Sequence, residues 1–147
     1  MKKVLCMLAV AAMLVACKEK NKPEEPAEKP FDYVAVGTIH VPIPEFSKEG
    51  VTVEVWLKEQ KADIYLYEVT FSDRMPLTIN MMIPDVDYVR TEVEITLSGD
   101  QIAPMMGENP VDRYMVANLQ GKITKDSMFI SNSFGNYACE YKGKLEE

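Results

Sequence analysis

The chain holds a single histidine, His40. A Ser–His–Asp or Cys–His relay needs that ring beside a nucleophile and a carboxylate. His40 instead comes just before Pro42 at the end of an expected strand, where a solvent-facing ring is the ordinary outcome. With one histidine, no thiolate cluster and no Asp-x-Asp-x-Asp loop, the usual zinc and calcium patterns are missing, so neither a metal nor a cofactor is expected. No glycine-rich phosphate loop is present. Glu92 and Glu94 share one strand face, as a glycosidase pair could, but two such residues are ordinarily a strand's wet side. The chain is therefore expected not to be an enzyme. Basic residues number 16 against 23 acidic ones. That balance disfavours nucleic acid, whose phosphates demand Lys and Arg. No apolar run reaches the roughly 20 residues of a membrane-crossing helix, and no stretch beyond residue 17 shows a helical apolar stripe.

What is present starts at the N-terminus. Met1-Lys2-Lys3 is a short basic opening, and Val4 to Ala16 follows without a charge. A basic start, an apolar run of about 7–15 residues and small residues before a cut site define a secretory signal. The run closes on Leu14-Val15-Ala16-Cys17, which resembles the lipobox of bacterial lipoproteins. The resemblance implies cleavage between Ala16 and Cys17, a diacylglyceryl group on the Cys17 thiol and an acyl chain on the new amino group. Two or three chains anchor stably where one binds marginally. Lys18 follows, in place of the Asp that commonly marks inner-membrane retention in such proteins. The resemblance thus points to the outer membrane, with the periplasmic and cell-surface faces both open.

Lys18 to Pro30 carries three prolines and many charges, with no aromatic or β-branched residue. Such a stretch buries too little apolar surface to offset its ordering entropy, and is expected to be a disordered, extended tether. Residues 31–147 then form one domain. Loss of the signal removes Lys2 and Lys3, which leaves 14 basic against 23 acidic residues and a formal charge of −9. The acids are spread along the chain, as on a solvated outer face. Of the three cysteines, Cys6 leaves with the signal, Cys17 is lipidated and Cys139 stands alone. No disulfide is available, and a packed core must hold the domain. Cys139 itself is expected to be a buried small hydrophobe.

The apolar pattern of the domain has period two. Val51, Val53, Val55 and Leu57 alternate with more polar neighbours, as do Val93, Ile95 and Leu97. Met115, Ala117, Leu119, Gly121 and Ile123 do so further on, and Tyr137, Cys139, Tyr141, Gly143 and Leu145 close the chain in the same way. Such alternation predicts half-buried antiparallel strands. Turn chemistry separates the runs at Pro42 and Pro44, Lys48-Glu49-Gly50, Glu59-Gln60-Lys61, Ser72-Asp73-Arg74, Pro84-Asp85, Ser98-Gly99-Asp100, Lys125-Asp126 and Gly135-Asn136. Eight strands follow, at 33–41, 51–58, 62–71, 76–83, 91–98, 112–124, 127–133 and 137–145. Short connections imply an up-and-down meander. Eight strands can close into a barrel, filled by side chains or holding one small ligand. A two-sheet β-sandwich is the alternative.

The chain resembles the small calycin-like barrel lipoproteins of Gram-negative bacteria. The residues that carry the likeness are Val36-Gly37-Thr38-Ile39, the middle from Phe71 to Val86 with its Met75-Pro76 and Ile83-Pro84 steps, Leu119-Gly121-Ile123 and Tyr141-Gly143-Leu145. The resemblance implies a lipocalin-like barrel and no particular activity. The Gly-x-Trp of a lipocalin's first strand is absent; the one tryptophan, Trp56, stands on the second strand.

Met75, Met81, Met82, Met105 and Met106 gather around two proline-containing segments. Methionine makes adaptable apolar surface and is frequent at binding sites, although gap-filling in a core is its commoner use. Loop 99–111, with Ile-Ala-Pro-Met-Met near its middle, is the longest unpatterned connection. Tyr65, Tyr67 and Phe71 alternate with Ile64 and Leu66, so both faces of the third strand are apolar. Trp56, Tyr65, Tyr67, Met105 and Met106 are the expected contacts for a ligand or partner. The expected function is a non-enzymatic binding or interaction module of the cell envelope. It would join the membrane through its lipid and meet an envelope protein, a glycan or a small apolar ligand. Carriage of such a ligand inside the barrel is the alternative.

Overall fold

Alternation at period two puts every second side chain on one face of a sheet, and a sheet with one apolar face must cover it. Here the sheet covers itself. The computed structural model describes residues 32–146. Its strands are β1 (Tyr33–Pro42), β2 (Glu45–Leu57), β3 (Lys61–Val69), β4 (Ile79–Arg90), β5 (Ile95–Gly99), β6 (Met105–Met106), β7 (Asn109–Pro110), β8 (Val116–Ile123), β9 (Ser127–Phe134) and β10 (Tyr137–Leu145). Eight of them run antiparallel in the order β1-β2-β3-β4-β5-β8-β9-β10. β10 returns to β1 through pairs from Ala35–Leu145 to His40–Glu140. The sheet is thus a closed up-and-down barrel without free edges, not a two-sheet sandwich. β6 and β7 form a small hairpin hung on β4, where Met105 lies opposite Met82.

The interior is one apolar cluster. Val51, Val53 and Val55 of β2 face Ile64 and Leu66 of β3, Met81 and Ile83 of β4, Leu97 of β5 and Ile130 of β9, all buried. Burying one such side chain stabilises by about 1.5–3 kcal/mol. Glu54, Lys122, Glu140, Lys142 and Lys144 alternate with them and reach outward. A bilayer-spanning barrel has the opposite arrangement, apolar outside and polar within.

Four bulges bend the strands, and each puts one residue in the left-handed region. Gly50 on β2 (φ 72°), Glu68 on β3 (φ 54°), Asp85 on β4 (φ 56°) and Asn118 on β8 (φ 55°) mark them. The ladder slips by one residue at each of these points. Glycine alone adopts that conformation freely. The other three are held by a side-chain oxygen from an adjoining strand or its end. Glu68 N–H donates to Asn80 Oδ1 at 2.7 Å, Asp85 N–H to Asp63 Oδ1 at 3.1 Å, and Asn118 N–H to Asp100 Oδ1 at 2.9 Å.

The bulges correct three sequence expectations. Lys48-Glu49-Gly50 and Pro84-Asp85 are not turns but bulged positions inside β2 and β4, because bulges and turns use the same residues. The chain reverses before β2 at Ile43-Pro44 instead. On β8 the extra residue shifts the phase, so Val116 points inward where Met115 and Ala117 were expected to. The expected strands at 76–83 and 91–98 are also displaced, since β4 runs to Arg90 and leaves a shorter β5.

One buried polar group fastens the closure. The Tyr141 hydroxyl is shared between the carbonyls of Ala35 (3.0 Å) on β1 and Val51 (2.9 Å) on β2. Its path crosses Gly143, where a Cβ would sit 2.5 Å from that hydroxyl. Gly37, paired with Gly143, lets β10 approach closely, since a Cβ there would stand 2.0 Å from the Lys142 carbonyl oxygen. Burial pushes the Tyr141 phenol well above its ordinary pKa.

Candidate functional site

An antiparallel meander sorts its connections between two ends. β1 starts at the proximal end, which also carries the β2–β3, β4–β5 and β8–β9 turns. The distal end carries the β1–β2 turn, the β3–β4 loop, the β5–β8 connection and the β9–β10 turn. Three of the four bulges, at Gly50, Glu68 and Asn118, bend the distal halves of their strands. Bulges are frequent at barrel rims and beside functional sites.

The distal mouth holds a cleft of about 420 Å³. The β3–β4 loop supplies Ser72, Arg74, Met75 and Leu77; the β5–β8 connection supplies Arg113 and Tyr114; β10 supplies Tyr137. Ser72 ties the first segment together from a buried position. Its Oγ accepts the Arg74 N–H at 3.1 Å, and its carbonyl accepts the Met75 N–H (3.1 Å) and the Thr70 hydroxyl (3.0 Å). Such serine-centred turns pre-form a loop. The second segment is one 3₁₀ turn, Asp112–Tyr114, closed by Met115 N–H to the Asp112 carbonyl at 3.1 Å. It rests on the β9–β10 turn at Gly135 (φ 60°), where a Cβ would meet the Arg113 carbonyl oxygen at 2.2 Å. Only glycine lets the two loops meet.

The cleft floor is aromatic. Phe71 is fully buried, with its ring stacked on Phe134 at 4.7 Å and on Tyr137 at 5.8 Å, and edge-on to Tyr114 at 5.6 Å. Each such pair contributes about 0.5–1.5 kcal/mol beyond its area and holds the rings in place. The Arg113 guanidinium lies over Tyr114, 5.3 Å from the ring centre, which orients it at small cost. Leu77 stands at the rim, 75% exposed.

The charge around this cleft is one-sided. Arg74, Arg90 and Arg113 are the chain's only arginines, and two of them line it. No carboxylate lines it, and among the described residues neither Arg74 nor Arg113 forms an ion pair. The proximal mouth differs. Its cleft, about 520 Å³, sets Arg90 and Lys125 against Glu92 and Glu94. There Arg90 Nη2 also reaches the Tyr33 hydroxyl at 3.3 Å.

The residues expected to make contacts lie elsewhere. Trp56, Tyr65, Tyr67 and Met105 occupy the outer face, half-buried. Register places Glu54, Tyr65, Met82, Met105 and Pro110 in one row across β2, β3, β4, β6 and β7. Tyr67 donates to Glu54 Oε1 at 3.1 Å, and burial, then that carboxylate, push its phenol up to about 12. Burial also raises Tyr65. Met106 turns against the core, so the methionine pair does not act as one exposed tip. Loop 99–111 is not unpatterned, since it carries the β6–β7 hairpin. Ala16 and Cys17 fall outside the described residues.

The remaining reactive groups are dispersed. His40 Nε2 is 3.7 Å from Glu45 Oε2 and shares an outer hollow with Thr38, Glu140 and Lys142. Cys139 is buried; burial, then Glu140, raise its thiol to about 12. The reactive thiolate is therefore not populated near neutral pH. Asp63, 8% exposed, takes the Asp85 N–H and pairs with Lys58 at 3.2 Å, so it serves the bulge. Among the described residues, no three His, Cys, Asp or Glu side chains converge on a metal-sized space.

The distal cleft went unnoticed because Arg74 and Arg113 are far apart in sequence. The signal that could have found it is the scarcity of arginine, together with a meander that brings both of its loops to one end. No protein-family model, curated protein or solved structure matches the chain.

Proposed function

We propose that this chain is a non-enzymatic binding module of the cell envelope. It is held at the outer membrane through a lipidated Cys17, in the manner of the calycin-like lipoproteins it resembles, and its binding face is the distal mouth. The observation that carries the reading is a pre-formed aromatic cleft with two arginines that, among the described residues, no carboxylate neutralises. Its volume falls in the range of ordinary ligand pockets, roughly 300–1,000 Å³. Carriage inside the barrel is less favoured, because Phe71, Phe134, Ile64 and Ile83 fill interior positions.

The test is native mass spectrometry of the chain purified gently from its own host, beside a Tyr137→Ala variant. A reproducible added mass of small-molecule size, absent from the variant, is the expected result. An added mass that Tyr137→Ala leaves intact moves the site elsewhere. A bare mass, with no cross-link from a photoreactive group at Leu77 in intact cells, overturns the reading.

A further inference from the structure

We infer that the distal cleft takes a small amphiphilic anion: a carboxylate or phosphate head on an apolar or aromatic body. This rests on the distal mouth being the binding face and adds the chemical class of what binds there. The head group follows from charge. In a chain with 23 acidic and 16 basic residues, an unbiased cleft would carry acid more often than base. This one has Arg74 and Arg113 and no carboxylate. Asp73 and Asp112 precede the two arginines in sequence, yet neither lines the cleft nor pairs with them.

Guanidinium forks match carboxylate and phosphate oxygens in geometry as well as charge. Ser72, Tyr114 and Tyr137, which carry hydroxyls, line the same cleft. The body follows from the floor. Met75, Leu77 and Ile79 line one side, and Tyr114 and Tyr137 are fixed by the buried Phe71. An inorganic ion alone would leave that surface wet. A neutral apolar molecule would leave two guanidiniums without a counter-charge.

The cleft is pre-organised on both sides. Ser72 fixes the Arg74 backbone, while the 3₁₀ turn and the Tyr114 ring fix Arg113. Binding then spends little on loop ordering. The proximal mouth serves as an internal comparison, because Glu92 and Glu94 line it beside Arg90 and Lys125, although among the described residues Arg90 itself reaches only the Tyr33 hydroxyl and Glu94 pairs with Lys122.

The test titrates the full chain with three soluble probes: 4-phenylbutyrate, 4-phenylbutyl phosphate and 4-phenylbutanol. The readouts are calorimetry and the ring resonances of Tyr114 and Tyr137. At least one anion is expected to bind saturably and shift both rings, with the alcohol about tenfold weaker or worse. Arg74→Gln and Arg113→Gln should each weaken the anion about tenfold, the size of one charge-assisted hydrogen bond, and added salt should weaken it further. Arg90→Gln should change nothing. Both cleft arginines are exposed, and circular dichroism shows whether each variant is folded. If the alcohol binds as well as the anions and the arginine variants bind unchanged, the anion inference falls while the distal mouth stands as a binding face. If no probe moves Tyr114 or Tyr137, the inference falls and the distal reading loses its support with it.

Discussion

Gly143 and Tyr141 offer the sharpest test of how the barrel closes. A Cβ at position 143 would stand 2.5 Å from the Tyr141 hydroxyl and 2.8 Å from Cε2 and Cζ of its ring. These are the far atoms of the side chain, so the ring must swing aside. Overpacking of that kind costs about 1–3 kcal/mol. A displaced hydroxyl also abandons the carbonyls of Ala35 and Val51, and unsatisfied buried groups cost about 1–3 kcal/mol more. Against this, alanine is better than glycine in a strand by only about 0.5–1 kcal/mol. Gly143→Ala should therefore destabilise by about 3 kcal/mol, which lowers the urea midpoint by about 2 M at a slope near 1.5 kcal/mol per M. Leucine at 141 lacks all three clashing atoms. In a Tyr141→Leu background, Gly143→Ala should be neutral or slightly stabilising. The assay is urea unfolding of the four chains, followed by circular dichroism and by the fluorescence of Trp56. If the glycine substitution costs the same in both backgrounds, within the roughly 0.5 kcal/mol of ordinary additivity, then Tyr141 is not why position 143 is glycine.

Three further outcomes follow from the same structure. Cys139 and Tyr67 are raised to about 12 from ordinary values of 9.0 and 10.0, and Tyr141 is raised too, each chiefly by burial. Their protonated forms are neutral and the native state keeps the protons longer, so stability is intact below pH 9 and declines from there towards pH 12. Cys139 alone contributes about 1.4 kcal/mol per pH unit across that window, and a urea midpoint that stays flat from pH 8 to 11 would refute it. At the bulges, Glu68→Gly should stabilise by up to about 1 kcal/mol by removing a left-handed non-glycine residue. Asp63→Ala should destabilise by about 2–3 kcal/mol, because it leaves the Asp85 N–H unanswered; thermal unfolding reads both. Cys17→Ser should abolish labelling by radioactive palmitate and move the chain from the membrane fraction to the soluble one, and continued membrane partition would refute the lipid anchor.

The strands were legible because burial on one face imposes period two, and the closing run 137–145 shows this well, with Cys139 and Tyr141 inward and Lys142 and Lys144 outward. Bulges were not legible, since their residues carry turn chemistry; Gly50 and Pro84-Asp85 look locally like chain reversals. Asn118 shows the second difficulty. One inserted residue flips the phase of β8, and no periodicity window built on a constant step registers it. The expected contact residues lie apart from the distal cleft. Trp56, Tyr65 and Tyr67 are large and apolar enough to suggest a site, but a strand with a buried inner face leaves them half-covered on the outside. The cleft needed Arg74 and Arg113 brought together, and only the folded meander, with both loops at its distal end, does that.

A site meant for a ligand should be separable from the framework that holds it. Arg74 is exposed, and among the described residues it pairs with no carboxylate and is tied to the fold by its backbone N–H alone. Replacing its side chain with glutamine removes nothing the barrel uses, so the unfolding midpoint should stay within the roughly 0.5 kcal/mol of an ordinary surface change. Tyr137 belongs to both systems. Its ring lines the cleft and also stacks on Phe71, which itself stacks on Phe134 at 4.7 Å. Tyr137→Ala should therefore cost about 2–4 kcal/mol in stability as well as binding, whereas Tyr137→Phe keeps the stack and loses only the hydroxyl. The ordering expected in denaturant is Arg74→Gln, then Tyr137→Phe, then Tyr137→Ala, with the first two close to the parent. If Arg74→Gln proves the most damaging of the three, its guanidinium has a structural partner. The argument that two arginines without a counter-charge mark a place for an anion would then lose its ground.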